Sequence, residues 1–170
     1  VTPGGWLKIN INGKIEKGNW WPTGKLATSN VHTRKDAAHR VNELVTTAVR
    51  EHLISDVGVG AFLSGGIDSS IVALVAGKEL GKNLRTFTVG FPQGAFDERA
   101  IARTVAKQAG SDHTEIEISE DTCLQWVKEA VTGLDLPSVD AINTYIVSKA
   151  VRDTGVKVAL SGLGGDEIFA

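Results

Sequence analysis

Hydrophobic positions come in short blocks whose period changes along the chain. Val41, Leu44, Val45, Ala48, Val49 and Leu53 recur at helical spacing, which predicts an amphipathic helix from Asp36 to about Ser55 with Arg40, Glu43, Arg50 and Glu51 on its wet side. A Gly58-Val59-Gly60 break then opens an apolar run, Val59 to Leu63, that does not alternate and so predicts a strand buried on both faces. Strand and helix follow in turn. A helix is expected from Ser69 to Leu80, ended by Gly81, then a strand from Leu84 to Phe91. The next helix runs from Phe96 to about Gln108 and is closed by Gly110, with Asp97 as its N-cap and Glu98 in the first turn. His113 to Ile118 makes a third strand, and Glu120 to Val131 a helix with Leu124, Val127 and Val131 on one face. After a loop containing Pro137, the spacing predicts a helix over Ala141 to Arg152, with Asp140 as its cap or facing a substrate. Val156 to Leu160 returns as a last buried strand.

Such alternation predicts an α/β fold, a Rossmann-like doubly wound parallel sheet with helices on both faces. A short β-hairpin precedes it. Trp6 to Ile11 alternates, Asn12-Gly13 is a favoured turn and Lys14 to Lys17 answers it. Trp20, Trp21 and Pro22 then lead into a polar linker through about Thr33, and the aromatic pair reads as packing against a neighbour.

Composition narrows the function without naming it. With 170 residues, 42% of them hydrophobic and 22% charged, the chain can bury a core of its own. A net charge of −2 gives no bulk attraction to nucleic acid. No apolar run reaches membrane-spanning length and no signal peptide opens the chain, so a cytoplasmic protein with no membrane partner is expected. Cys123 stands alone, which excludes an internal disulfide and a CxxC zinc site. The chain holds no methionine, and it reads as an excised piece of a longer parent.

Candidate chemistry centres on Ala61 to Ser70, where the apolar run stops at Gly65 and Gly66 and two serines open a helical pattern. Glycines here let successive N–H groups turn inward on an anion, and the following helix adds its unpaired donors and positive dipole end. The lysine of a Walker loop is missing, since none stands between Gly60 and Gly77, and Asp68 takes its place. A carboxylate beside a polyphosphate repels it unless a divalent cation lies between, which points to a nucleotide with Mg²⁺. The bland alternative is a strand-to-helix turn with Asp68 merely capping.

Ser64-Gly65-Gly66-Ile67-Asp68-Ser69-Ser70 resembles the pyrophosphate loop of ATP-pyrophosphatases, in the form found in glutamine-dependent asparagine synthetases. Leu160-Ser161-Gly162-Leu163-Gly164-Gly165-Asp166-Glu167-Ile168-Phe169 resembles that family's later signature at similar spacing. The likeness covers about residues 35 to 170. It implies that residues 1–34 are the tail of a glutamine amidotransferase domain, and residues 35–170 the first part of an ATP-dependent synthetase domain. A substrate carboxylate would attack the α-phosphorus of ATP, and ammonia from the glutaminase domain would then displace AMP. In that scheme Ser64, Gly65, Gly66, Ser69 and Ser70 hold pyrophosphate, and Asp68 and Asp166 hold Mg²⁺. Phe62, Leu63, Val89, Ser161 and Gly162 meet the nucleotide, with Val89 contacting adenine through its backbone. His113 also matches the pattern, although an edge or core imidazole explains it. The resemblance leaves a homodimer of the parent open, and it implies that residues 1–170 alone do not complete the reaction.

Two departures bear on the acceptor. Leu163 stands where the best-known asparagine synthetases often carry an acid that matters for forming the adenylate. No arginine occurs between Leu136 and Asp140, where some members carry one near substrate. Aspartate, another carboxylate, a β-lactam-forming reaction and a non-catalytic nucleotide-binding module therefore all stay open.

Overall fold

The computed structural model describes residues 1–21, 33–91, 98–136, 138 and 140–169. Asp97 and Pro137 lie outside that set, so the N-cap expected at Asp97 is not addressed. Residues 1–41 and 42–170 form two compact units.

In the first unit β1 (Gly5–Ile9) and β2 (Ile15–Asn19) pair antiparallel, from Gly5 with Asn19 to Ile9 with Ile15. The Asn12-Gly13 signal is used differently from a two-residue turn. Gly13 alone has positive φ, +77°, its N–H reaches Asn10 O at 2.8 Å, and the Asn10 N–H reaches Lys14 O at 2.9 Å. That is a three-residue loop closed by a glycine bulge. Trp20 and Trp21 meet edge to face, 6.5 Å between ring centres, and both remain exposed.

The second unit is a four-stranded parallel sheet in the order β5-β4-β3-β6, formed by β3 (Val59–Phe62), β4 (Arg85–Gly90), β5 (Asp112–Glu117) and β6 (Val158–Leu160). The first and last strands of this unit, β3 and β6, are therefore neighbours, with β6 at one edge of the described sheet. Ala61 and Leu63 point to one face, where they pack with α1 (Arg34–His52), α2 (Ile67–Leu80) and α3 (Arg99–Ala109). Val89 and Ile116 point to the other, against α4 (Glu120–Gly133) and α5 (Asp140–Arg152). Helices thus cover both faces, as the alternation predicts. Gly77 lets α2 touch α3 closely, since a Cβ there would lie 2.3 Å from Ala109 O.

Two local expectations are corrected. In α4 the buried side is Cys123, Trp126, Val127 and Ala130, whereas Leu124 and Val131 are each 57% exposed. The helix is rotated because Trp126 has the larger surface to bury, and Leu124 lies on the opposite flank. In α5, Asp140 is the first helical residue and not the cap. The Ser138 hydroxyl accepts the Ala141 N–H at 3.2 Å instead.

His113 sits at the start of β5, paired with Thr86 at the amino ends of the strands. Its Nδ1 lies 3.0 Å from Thr86 Oγ1, and its Nε2 is buried without a hydrogen-bond partner. The core reading of this imidazole holds. Burial pushes its pKa down from the usual value, partly offset by Glu115. The unfolded chain therefore takes up the proton first, and the stability that neutral His113 provides is lost as pH falls below about 6.5 toward the lower folded-state value. Urea denaturation is expected to give a steeper loss between pH 7.5 and pH 5.5 for the native sequence than for His113→Gln. Equal slopes would contradict this.

Candidate nucleotide site

The first glycine turn is held from both sides. Leu63, 1% exposed, donates its N–H to Phe87 O at 2.8 Å and accepts the Thr88 hydroxyl on its own carbonyl at 2.5 Å. Its side chain belongs to the core, so only its backbone reaches the surface of the site. Ser64 then turns back on the loop, with its hydroxyl accepting the Gly66 N–H at 3.2 Å and lying 3.0 Å from the Ser69 hydroxyl. Gly65 takes φ +87°, and a Cβ there would press on Glu98 O at 3.1 Å and Ile101 Cβ at 3.2 Å. No other residue type fits that position without strain.

The helix starts two residues before Ser69. The Gly66 carbonyl accepts the Ser70 N–H at 3.1 Å, the Ser70 hydroxyl at 2.6 Å and the Ser69 hydroxyl at 3.2 Å, which closes the first turn of α2 at Ile67. Asp68 is consequently a first-turn residue. The N–H groups of Ile67, Asp68 and Ser69 are the donors that an α-helix leaves unpaired at this end. The Gly66 N–H is turned onto Ser64, so the loop offers one inward donor fewer than two free glycines would.

The second glycine turn leaves β6 at Ser161. The Leu163 N–H meets the Ser161 hydroxyl at 3.1 Å, the Gly165 N–H meets Gly162 O at 3.2 Å, and Gly164 has φ +96°. Asp166 begins the short helix α6 (Asp166–Phe169). This turn lies backbone to backbone on the first. A Cβ on Gly162 would come within 2.6 Å of Ser69 N, and one on Gly165 within 2.3 Å of the Asp68 carboxyl carbon. Both positions need glycine for close approach, and they bring Asp68 and Asp166 to the same place.

A crevice of ≈ 730 Å³ runs over this junction, lined on the loop side by Ser64, Gly66, Ile67, Asp68 and Ser69 and on the other by Ser161, Gly162, Leu163 and Asp166. It adjoins a cleft of ≈ 260 Å³ at the carboxyl ends of β3 and β4, where Phe62, Val89 and Phe91 line the wall with Glu98 and Arg99. Phe62, Ser64 and Val147 belong to both. Leu163 is 74% exposed at the rim. Gly65 and Ser70 line neither space, since α3 covers the first and the Ser70 hydroxyl is spent on Gly66. Among the described residues no three acid, histidine or cysteine side chains cluster as a metal cage.

Sequence reasoning missed the α5 wall, Asn143, Thr144 and Val147, and the Arg99 side chain that lies across Gly90 with its guanidinium 3.1 Å from Glu117. The first three share a helix face at i, i+1 and i+4. That spacing is visible in the sequence, but its direction toward the crevice is not.

A parallel sheet covered on both faces, whose carboxyl edge carries two glycine turns in contact with an acid from each at the junction, defines a doubly wound α/β domain. The sequence profile of asparagine synthase matches residues 40–170, and the chain belongs to that family. It is 37% identical to asparagine synthetase [glutamine-hydrolyzing] 1 of Bacillus subtilis over 99% of its length, covering 26% of that protein. Over its whole length it is 32% identical to the amidase chyE of Penicillium rubens, covering 28% of that chain. Among solved structures, the NH3-dependent NAD synthetase of Campylobacter jejuni matches 72% of this chain and 54% of its own, with 18% identity and a TM-score of 0.48. The chain spans about a quarter of the length of the curated relatives it matches. Among the described residues no helix is long and apolar enough to cross a membrane.

Proposed function

We propose that this chain is the ATP-handling part of a glutamine-dependent asparagine synthetase, acting in a protein of its relatives' full length. Residues 1–34 would belong to the preceding glutaminase domain and residues 35–170 to the synthetase domain. The reaction is attack of the β-carboxylate oxygen of aspartate on the α-phosphorus of ATP. The bond from that phosphorus to the β-phosphate bridge breaks, pyrophosphate leaves and β-aspartyl-AMP forms. Ammonia from glutamine then attacks the acyl carbon, loses a proton and expels AMP. The observation that carries this reading is the glycine-only contact of Gly162 and Gly165 with Asp68 and Ser69, which joins two acids and a helix's free donors in one crevice.

Each residue has a part in that scheme. The cleft beside Val89 is apolar enough for adenine, with Ser161 and Gly162 along the nucleotide. The N–H groups at the start of α2, with Ser64 and Ser69, face the departing pyrophosphate, and placing charge acceptors there in advance is the main service a protein can render to phosphoryl chemistry. Gly65, Gly66 and Ser70 shape the loop. Asp68 and Asp166, which line the same crevice, would hold Mg²⁺, which binds through one or two carboxylates plus substrate phosphates. The ion would neutralise charge on the pyrophosphate.

Leu163 and the likeness to an amidase favour a second reading, in which the same chemistry serves a carboxylate other than aspartate. The test is product analysis of the full-length protein with ATP, glutamine and ¹⁸O-labelled aspartate. AMP carrying the label, pyrophosphate and asparagine in equal amounts are expected. AMP release with another carboxylate only would select the second reading, and ADP as product would rule out both.

A further inference from the structure

Asn143 and Thr144 occupy the first turns of α5, across the crevice from the first glycine turn. Val147, one turn further on, lines both this crevice and the cleft beside Val89. The three side chains form one stripe along the helix, with its apolar end toward the base cleft and its polar end away from it. Asn143 and Thr144 are exposed, and among the described residues neither side chain has a hydrogen-bond partner. Their neighbours on the crevice rim, Ile67 and Leu163, are apolar. A solvated helix face would account for two polar residues on an open surface. Here they are the polar part of a concave wall.

Resting on the ligase reading above, we infer that Asn143 and Thr144 recognise the non-reacting polar groups of the carboxylate acceptor and set its specificity. The cleft beside Val89 takes the base and the glycine turns take the phosphates, so an acceptor reaching the α-phosphorus must lie against the remaining wall. A carboxamide both donates and accepts, and a hydroxyl does the same. The pair can therefore meet a free carboxylate through Nδ2–H or Oγ–H, and an ammonium through Oδ1 or the Oγ lone pairs. An amino-acid acceptor carries both groups.

The test uses the full-length protein, with AMP release followed against aspartate and against ATP. Asn143→Ala and Thr144→Val are each expected to raise KM for aspartate about tenfold, the size of a lost hydrogen bond to a charged group. KM for ATP stays within about twofold and Tm is unchanged. Unaltered aspartate KM in folded variants, or a rise in KM for ATP alone, overturns the inference and leaves the ligase reading standing. An unmodified protein that forms AMP with no carboxylate removes both.

Discussion

Asp68→Asn is expected to lower AMP and pyrophosphate release by the full-length protein about 10²–10³-fold, the scale on which single pre-placed charges act in such reactions. Asparagine keeps the shape that fits against Gly165, so the fold should survive the change and Tm should move little. What is lost is one negative oxygen at the junction of the two turns, and in the proposed site one of the two carboxylates that would hold Mg²⁺. Raising Mg²⁺ should recover part of the loss, because a weaker site can still be filled by mass action. Asp166→Asn removes the other acid and is expected to act in the same direction. Activity of Asp68→Asn within about threefold of the unmodified protein would show that the carboxylate is only a first-turn helix acid, whose removal costs a few tenths of a kcal/mol.

Gly77→Ala is expected to lose stability although it raises helix propensity. Alanine in a helix interior is favoured over glycine by about 1 kcal/mol. At Gly77 the added methyl would lie 2.3 Å from Ala109 O and 2.9 Å from Ala109 Cα and Cβ, all parts of a packed helix end. Relieving that overlap means parting α2 from α3, and overpacking of this kind costs about 1–3 kcal/mol, occasionally more. The net effect expected is a loss of about 1 kcal/mol, or roughly 2–4 °C in Tm. Gly133→Ala is the control. Nothing lies within 4 Å of a Cβ there, so the same substitution should be neutral or slightly stabilising. Thermal melts of the two variants with opposite signs would confirm that the α2–α3 approach, not glycine content, sets the outcome.

The alternation of elements was legible because glycines and short apolar runs punctuate it. Gly81, Gly110 and Gly155 take positive φ, so each stops a helix by its own conformation. The two glycine turns were legible for the same reason, since Gly65 and Gly164 also need positive φ. What the sequence hid is what depends on neighbours. Gly77 reads as an ordinary small residue and Gly162 and Gly165 as parts of a signature, and only the fold reveals that each stands where another backbone or carboxylate passes. The face of α4 was misread because Leu124, Val127 and Val131 share a helical spacing, while the surface that Trp126 covers depends on α5. The start of α2 was placed late because the triple use of the Gly66 carbonyl by Ser69 and Ser70 leaves no mark in residue order.

Because β6 joins the sheet beside β3, Val59 must find Val158, roughly a hundred residues later in the chain, before the two turns can meet. Pairings of that range are slow to form. On a ribosome the crevice cannot close until Asp166 has left the exit tunnel, so earlier nascent chains carry the first turn without its partner and with Asp68 and Ser69 uncovered on that side. On the function proposed above, a growing chain would gain its nucleotide affinity only once this stretch had emerged and the two turns had met.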